Sequence, residues 1–303
     1  VSFTTFELSP VSARIGAEIL NVDLSGELSD TFIQEIRQAL IKYKVIFFRQ
    51  QSLNAAGHVA FARRFGEITT AHPTLPPLVE HTEVLDLDYG RTATRSNEWH
   101  TDVTFVDRPP LGSILRAVEI PPVGGDTVWA NSATAYQDLP THLRTLADQL
   151  WAVHSNIYDY AAAAITPSEA LKDYHKVFTS TLYEALHPVV RVHPESGERG
   201  LFIGAFVQRI QGLSETESKD VLRLLQSYVT RLENTVRWKW QVGDVAFWDN
   251  RSTQHYAIYD YEGQPRRVQR VTIVGDRPQS IDGKLSQALK GDSSTYVREP
   301  ALI

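Results

Sequence analysis

Trp99-His100-Thr101-Asp102 sets an imidazole and a carboxylate two residues apart. On an extended chain, side chains i and i+2 leave the same face, so His100 and Asp102 can reach one ion together. A second histidine from a distant strand would complete a 2-His-1-carboxylate face. That set leaves three octahedral positions open and is diagnostic of non-haem Fe(II) oxygenases. Taken alone, His-x-Asp arises easily by chance, and its aspartate can equally cap a turn. The chain has 10 histidines, so position must select the partner. His255 ends Trp248-Asp249-Asn250-Arg251-Ser252-Thr253-Gln254-His255 and lies between two strand-like runs, where a jelly roll would return it to the barrel mouth. His187 and His193 are its rivals. Each is followed by proline, which suggests a strand end, and both read as structural.

Arg266 and Arg270 are four apart on an alternating run. They therefore share one face, roughly 13 Å apart along the strand, with Val268, Thr272 and Val274. Guanidinium forks suit carboxylate and sulfate. Two of them near a metal suggest two anions, a dicarboxylate cosubstrate and an anionic substrate; a cross-strand ion pair is the competing explanation. Gly124-Gly125-Asp126-Thr127 is a tight turn entering a strand, and Thr127 can donate its hydroxyl to a carboxylate. Nucleotide-binding glycine motifs, a Walker loop, His-Glu-x-x-His and Gly-x-Ser-x-Gly are all missing. Cysteine is absent, which excludes disulfides, thiolate zinc sites, iron–sulfur clusters and cysteine nucleophiles. Any metal must take nitrogen and oxygen ligands. Asn250-Arg251-Ser252 is a formal glycosylation sequon, discounted because no secretion signal accompanies it.

The elements that must position these residues are mostly short strands. Ser29 caps a helix to about Lys42, with Phe32, Ile33, Ile36 and Leu40 on one face. Val45–Phe48 reads as a buried strand, and a second helix spans about Asn54 to Phe65. Strands are expected at Ser113–Val118, Thr127–Trp129, Val189–Val192 and Leu201–Ile203. Ser214 and Glu217 form a capping box for a helix to about Val229. Val236, Trp238 and Trp240 alternate with polar residues as a half-buried strand, and Val245–Trp248, Tyr256–Ile258 and Arg266–Val274 complete a β-rich last quarter. The pattern predicts one domain over residues 1–303, mainly β with flanking helices, of jelly-roll type, with a possible lid insertion around 156–182. The net charge is -6 at pH 7 with no long basic stripe, so nucleic acid is not an expected partner. No apolar run reaches the length of a membrane span, and the first residues carry no signal-peptide pattern. The expected setting is the cytoplasm.

Trp99-His100-Thr101-Asp102-Val103-Thr104-Phe105, Gly124-Gly125-Asp126-Thr127 and the run from Trp248 to His255 resemble the TauD/TfdA family of Fe(II)- and 2-oxoglutarate-dependent dioxygenases. So does the placement of Arg266 and Arg270 after His255, and the likeness extends from Arg14-Ile15-Gly16-Ala17-Glu18 to Gly275-Asp276. The resemblance implies a double-stranded β-helix, cupin-like, in which His100, Asp102 and His255 bind iron. It implies that Thr127 and Arg266 hold the distal carboxylate of 2-oxoglutarate, while Arg270 and His72 meet a sulfate or sulfonate beside Val103 and Phe206. Leu150–Asn156, Tyr158–Tyr160, Lys176–Thr181 and Arg231–Trp238 resemble the alkylsulfatase type within the family. The implied reaction uses O2 to hydroxylate the carbon next to a sulfate ester, releasing aldehyde and inorganic sulfate, with succinate and CO2 from the cosubstrate. A homo-oligomer of two or four copies is expected by the same resemblance.

Two positions depart from the taurine-type pattern. Leu75 stands where those enzymes resemble one another in a tyrosine, and Ser96 where they carry an asparagine. An apolar Leu75 suits an alkyl chain better than a small zwitterion. The alternatives are a taurine or sulfonate dioxygenase releasing sulfite, or a dioxygenase of another organic anion such as a phenoxyalkanoate. A metal-binding jelly roll without oxygenase activity, or a zinc hydrolase with the same ligands, are further readings. The paired arginines argue against a bare metal sensor.

Overall fold

Four sheets organise residues 3–89, 96–157 and 169–298, the parts of the chain described by this computed structural model. The largest runs β1 (Glu7–Pro10), β2 (Ala17–Leu20), β3 (Val45–Phe48), β13 (Val245–Asp249), β5 (Gly112–Glu119), β15 (Arg267–Ile273) and β4 (Leu85–Asp88). A three-stranded sheet has the order β12 (Thr235–Trp238), β6 (Thr127–Asn131), β14 (Thr253–Ala257). A third contains β11 (Val207–Ile210), β7 (Trp151–Ser155), β8 (Glu184–Pro188) and β16 (Gln287–Lys290), and β9 (Val190–Val192) pairs with β10 (Arg199–Leu201).

β3 and β13 are apolar without alternation because both their faces are covered. Val45, Phe47, Ala246 and Trp248 point into the core shared with β6 and β12. Ile46, Phe48, Val245 and Phe247 point the other way, against the helices α1 (Asp30–Tyr43) and α2 (Ala55–Arg63). The inner core is aromatic: Phe47 stacks on Trp238 at 4.0 Å and meets Trp129 edge-on at 5.4 Å. Such packing fixes the spacing of the two sheets, and so of everything mounted on their rims. The fold is the expected jelly roll, mainly β with flanking helices.

Ser29 accepts a hydrogen bond from the Phe32 amide at the start of α1. After the short helices α3 (Ser132–Gln137), α4 (Thr141–Ala147) and α5 (Glu169–Phe178), α6 (Glu215–Val229) opens on the Ser214–Glu217 capping box, and α7 (Ser294–Val297) closes the described chain. No helix is long and apolar enough to cross a membrane among the described residues.

Several boundaries differ from the sequence reading: the strand expected at Leu201–Ile203 runs Arg199–Leu201, and the one expected through Trp240 ends at Trp238. α2 ends at Arg63, short of Phe65. The expected strand Val189–Val192 is divided, because β8 ends at Pro188 and β9 starts at Val190. The strand expected at Tyr256–Ile258 begins at Thr253 and takes in His255. Its polar start hid it: Thr253 and Gln254 are buried because their side chains bond to the Asp249 and Ile203 carbonyls, which a hydropathy pattern does not register. Of the expected lid, residues 158–168 lie outside the described residues. Asn156 ties the base of that segment together by donating to the Phe178 and Thr181 carbonyls and accepting from the Tyr183 amide.

Candidate active site

β14 delivers His255 to the rim of the barrel, where it forms an isolated antiparallel bridge with His100. Each backbone amide donates to the other's carbonyl, at 3.1 and 2.8 Å. The turn carrying Asp102 is bracketed by Asn250, whose side chain accepts from the Asp102 amide at 2.9 Å and donates to its carbonyl at 3.0 Å. Ser113 on β5 donates its hydroxyl to Asp102 Oδ2 at 2.7 Å, which leaves Oδ1 facing the imidazoles. His100 Nε2 and His255 Nε2 stand 3.9 and 3.8 Å from that oxygen. His100 Nδ1 lies 2.7 Å from the Glu98 carbonyl; it must donate there, so Nε2 carries the free lone pair.

One ligand atom from each of His100, Asp102 and His255 lies within 4.8 Å of the others, and all three residues are buried. Cis ligands around an ion with bonds near 2.1 Å sit about 3 Å apart, so small side-chain shifts bring the three onto one ion. The protonation states suit this. Burial lowers the pKa of His100, and burial together with the neighbouring His100 lowers that of His255, so both rings are neutral. Burial alone would raise Asp102, but Arg270, His255, His100 and the Ser113 hydroxyl outweigh it and hold the carboxyl at about 2. Two neutral imidazoles and an ionised carboxylate are the deprotonated donors a divalent metal requires. The supporting bonds from Glu98, Ser113 and Asn250 orient them as outer partners do in metal centres.

Two cavities of about 40 Å³ each flank this triad, and His100 and Arg270 line both. The first is walled by Thr127, Trp248, Val268 and Arg266. Arg266 is 2% exposed, donates through Nε to the Gly125 carbonyl at 3.1 Å and lies over the Tyr89 ring. It has no acidic partner among the described residues. A buried guanidinium without a counter-ion fits a carboxylate brought from outside. Arg267, by contrast, is spent on Asp86.

The second cavity is lined by His72, Leu75, Val103, Phe105, Phe178 and Phe206, among others. His72 Nδ1 accepts the Thr74 and Leu75 amides, both at 3.1 Å. Burial, with Arg270 nearby, lowers its pKa to about 3, so the ring is neutral and its hydrogen sits on Nε2. Arg270 contacts Asp102 through Nη1. Val103 has a φ of +54°, an outlier for a β-branched residue. The turn that imposes it is gripped by His187, whose Nε2 faces the Thr104 carbonyl at 2.7 Å and the Val106 carbonyl at 3.1 Å. His193 bonds instead to Asp249 at 2.9 Å. Both rivals of His255 are therefore committed to the framework. A wider groove of about 910 Å³ between β11 and α6 mixes both charges and contains no member of the triad.

The site thus gathers His72, His100, Asp102, Val103, Thr127, Phe206, His255, Arg266 and Arg270 around one point. The sequence reading missed Ser113 and Asn250. Asn250 carried a misleading signal, since the sequon's asparagine is 1% exposed and bonded at both ends of its amide. It also missed Tyr174 and Phe178, which line the second cavity and whose i, i+4 spacing on α5 was the available clue.

A jelly roll with two imidazoles and a carboxylate at its mouth is the architecture of a non-haem metal oxygenase. The family described as taurine catabolism dioxygenase TauD, TfdA family matches residues 6–272, and the chain belongs to it. The chemistry of this class is Fe(II)- and 2-oxoglutarate-dependent oxygenation with O2. The chain is 54% identical to an alpha-ketoglutarate-dependent sulfate ester dioxygenase of Pseudomonas putida, over 94% of each chain. It is 50% identical to an alkylsulfatase of Acinetobacter baylyi, over 89% of this chain and 85% of that one. A crystal structure of a taurine dioxygenase from Burkholderia xenovorans superposes with a TM-score of 0.80 at 40% identity, covering 97% of this chain and 99% of that one.

Proposed function

We propose that this protein is a sulfate ester dioxygenase: it hydroxylates the carbon bearing the sulfate oxygen of an alkyl sulfate, and the product falls apart to aldehyde and inorganic sulfate. The observation that carries the reading is the second cavity, which joins an arginine and a neutral imidazole donor to a wall of Leu75, Val103, Phe105, Phe178 and Phe206. A charged head and an apolar tail match that division; a small zwitterion would leave the apolar wall unused.

In this reading His100, Asp102 and His255 hold Fe(II). Bound there with 2-oxoglutarate, the iron supplies oxidation of a substrate C–H bond coupled to decarboxylation of the cosubstrate to succinate and CO2. Arg266 and Thr127 receive the distal carboxylate of 2-oxoglutarate. Arg270 and the Nε2 hydrogen of His72 receive the sulfate, which fixes the adjacent C–H toward the metal. The apolar wall seats the alkyl chain and keeps water out, and segment 156–182 acts as the lid of one dioxygenase domain. The cytoplasmic setting and the dimer or tetramer expected from the sequence belong to the same reading.

The test supplies air to protein loaded anaerobically with Fe(II) and 2-oxoglutarate, in the presence of hexyl sulfate or taurine. Succinate matched by sulfate from hexyl sulfate is the expected result. Sulfite from taurine, with hexyl sulfate inert, would overturn the substrate class. No succinate under any condition, with iron and 2-oxoglutarate bound, would overturn the enzyme reading.

A further inference from the structure

Thr127 opens β6 at the rim of the first cavity, and its side chain has an unusual second partner. Trp240, just past the end of β12, places its indole Nε1 2.9 Å from Thr127 Oγ1. An indole nitrogen can only donate, so the threonine oxygen accepts. The single hydroxyl hydrogen of Thr127 is then forced away from Trp240, and no acceptor meets it among the described residues. Trp240 is itself buried and packed against Trp129 at 6.2 Å, while Trp238, the last residue of β12, sits directly opposite Thr127 in the ladder. Threonine has few χ1 rotamers, and the bond from Trp240 holds its oxygen in one of them. Two donors without an acceptor among the described residues, the Thr127 O–H and the outer N–H groups of Arg266, therefore face one cavity.

We infer that Trp240 is a positioning residue: its indole N–H locks the Thr127 hydroxyl as a donor toward the distal carboxylate of the cosubstrate. A freely rotating hydroxyl could serve a donor or an acceptor equally well. A locked one serves only an acceptor, so the pocket favours a 2-oxo acid ending in carboxylate over one ending in a methyl group. The inference rests on the cosubstrate reading of this cavity given above.

The test is calorimetric titration of the full chain loaded with redox-inert Mn(II), using 2-oxoglutarate and 2-oxopentanoate, which lacks the distal carboxylate. Thr127→Val should weaken 2-oxoglutarate about tenfold, the scale of a hydrogen bond to a charged group. Trp240→Phe should weaken it about three- to tenfold, and leave 2-oxopentanoate within about twofold. In the Thr127→Val background, Trp240→Phe should have almost no further effect, because its influence passes through the hydroxyl. Replacing Trp240 by benzothienylalanine keeps the ring shape and removes only the N–H, which covers the case of a Phe variant that fails to fold. Additive losses in the double variant, or equal losses for both ligands, would overturn the role of Trp240 alone. If Thr127→Val leaves 2-oxoglutarate affinity untouched, the cosubstrate reading of the cavity falls, and this inference with it.

Discussion

Asp102 presents one oxygen to the imidazoles because Ser113 occupies the other. Ser113→Ala would leave that oxygen free to rotate the carboxylate, and metal affinity should fall about 10- to 100-fold, as for other outer partners of metal ligands. Metal-binding titration checks this without reference to turnover. In the proposed reading the two arginines divide the anions, so Arg270→Ala should raise the KM for alkyl sulfate far more than that for 2-oxoglutarate, and Arg266→Ala the reverse. Steady-state kinetics with each ligand varied in turn would expose an exchange of roles. His100 with Asp102, and Arg266 with Arg270, were legible in the sequence because spacing on extended chain reports facing directly, while His255 was picked by its place between two strand-like runs. Ser113 was not: one serine within an apolar strand has no periodic signature, and its use depends on a turn eleven residues earlier.

The strands β3, β5, β6, β13 and β15 and the helices α1, α2 and α6 were readable from pattern, since burial on one or both faces and an N-cap side chain leave local marks; short strands such as β1, β7 and β16 left none. The start of β14 was unreadable, because its buried polar side chains are satisfied by carbonyls from other parts of the chain. α5 belongs to this scale as well. Of its ten residues only Phe178 is fully buried, and that ring meets His72 at 5.3 Å, Phe105 at 5.8 Å and Tyr174 at 5.8 Å. It lines the second cavity, which in the proposed reading holds the alkyl tail. Phe178→Ala should shift the kcat/KM optimum toward longer alkyl sulfates, by two or more carbons on the estimate of about 0.8 kcal/mol per buried methylene. A series from butyl to dodecyl sulfate measures it; a uniform loss at every length would sink the idea.

Across the whole molecule, histidines buried as neutral rings couple folding to pH. Burial lowers His58 to about 3, with Arg116 contributing, and His187 to about 4. Unfolded, each would titrate near 6.5. Below that pH the unfolded chain binds protons the folded chain refuses, so stability is full above about pH 6.5 and declines as pH falls toward 4. His187→Asn should flatten that decline by up to about 1.4 kcal/mol per pH unit, read from urea midpoints between pH 7 and 4. An unchanged slope would mean that the ring is already charged in the fold. The ladder between β6 and β14 has a different consequence. Trp129 pairs with His255, and Thr127 with Ala257, so His255 and Thr127 stand one two-residue step apart, roughly 7 Å along paired strands. A step in a hydrogen-bonded ladder cannot stretch. If Thr127 receives the distal carboxylate as proposed, the barrel wall is a ruler with a fixed unit, and dicarboxylates a carbon shorter or longer should bind less tightly however well their ends match.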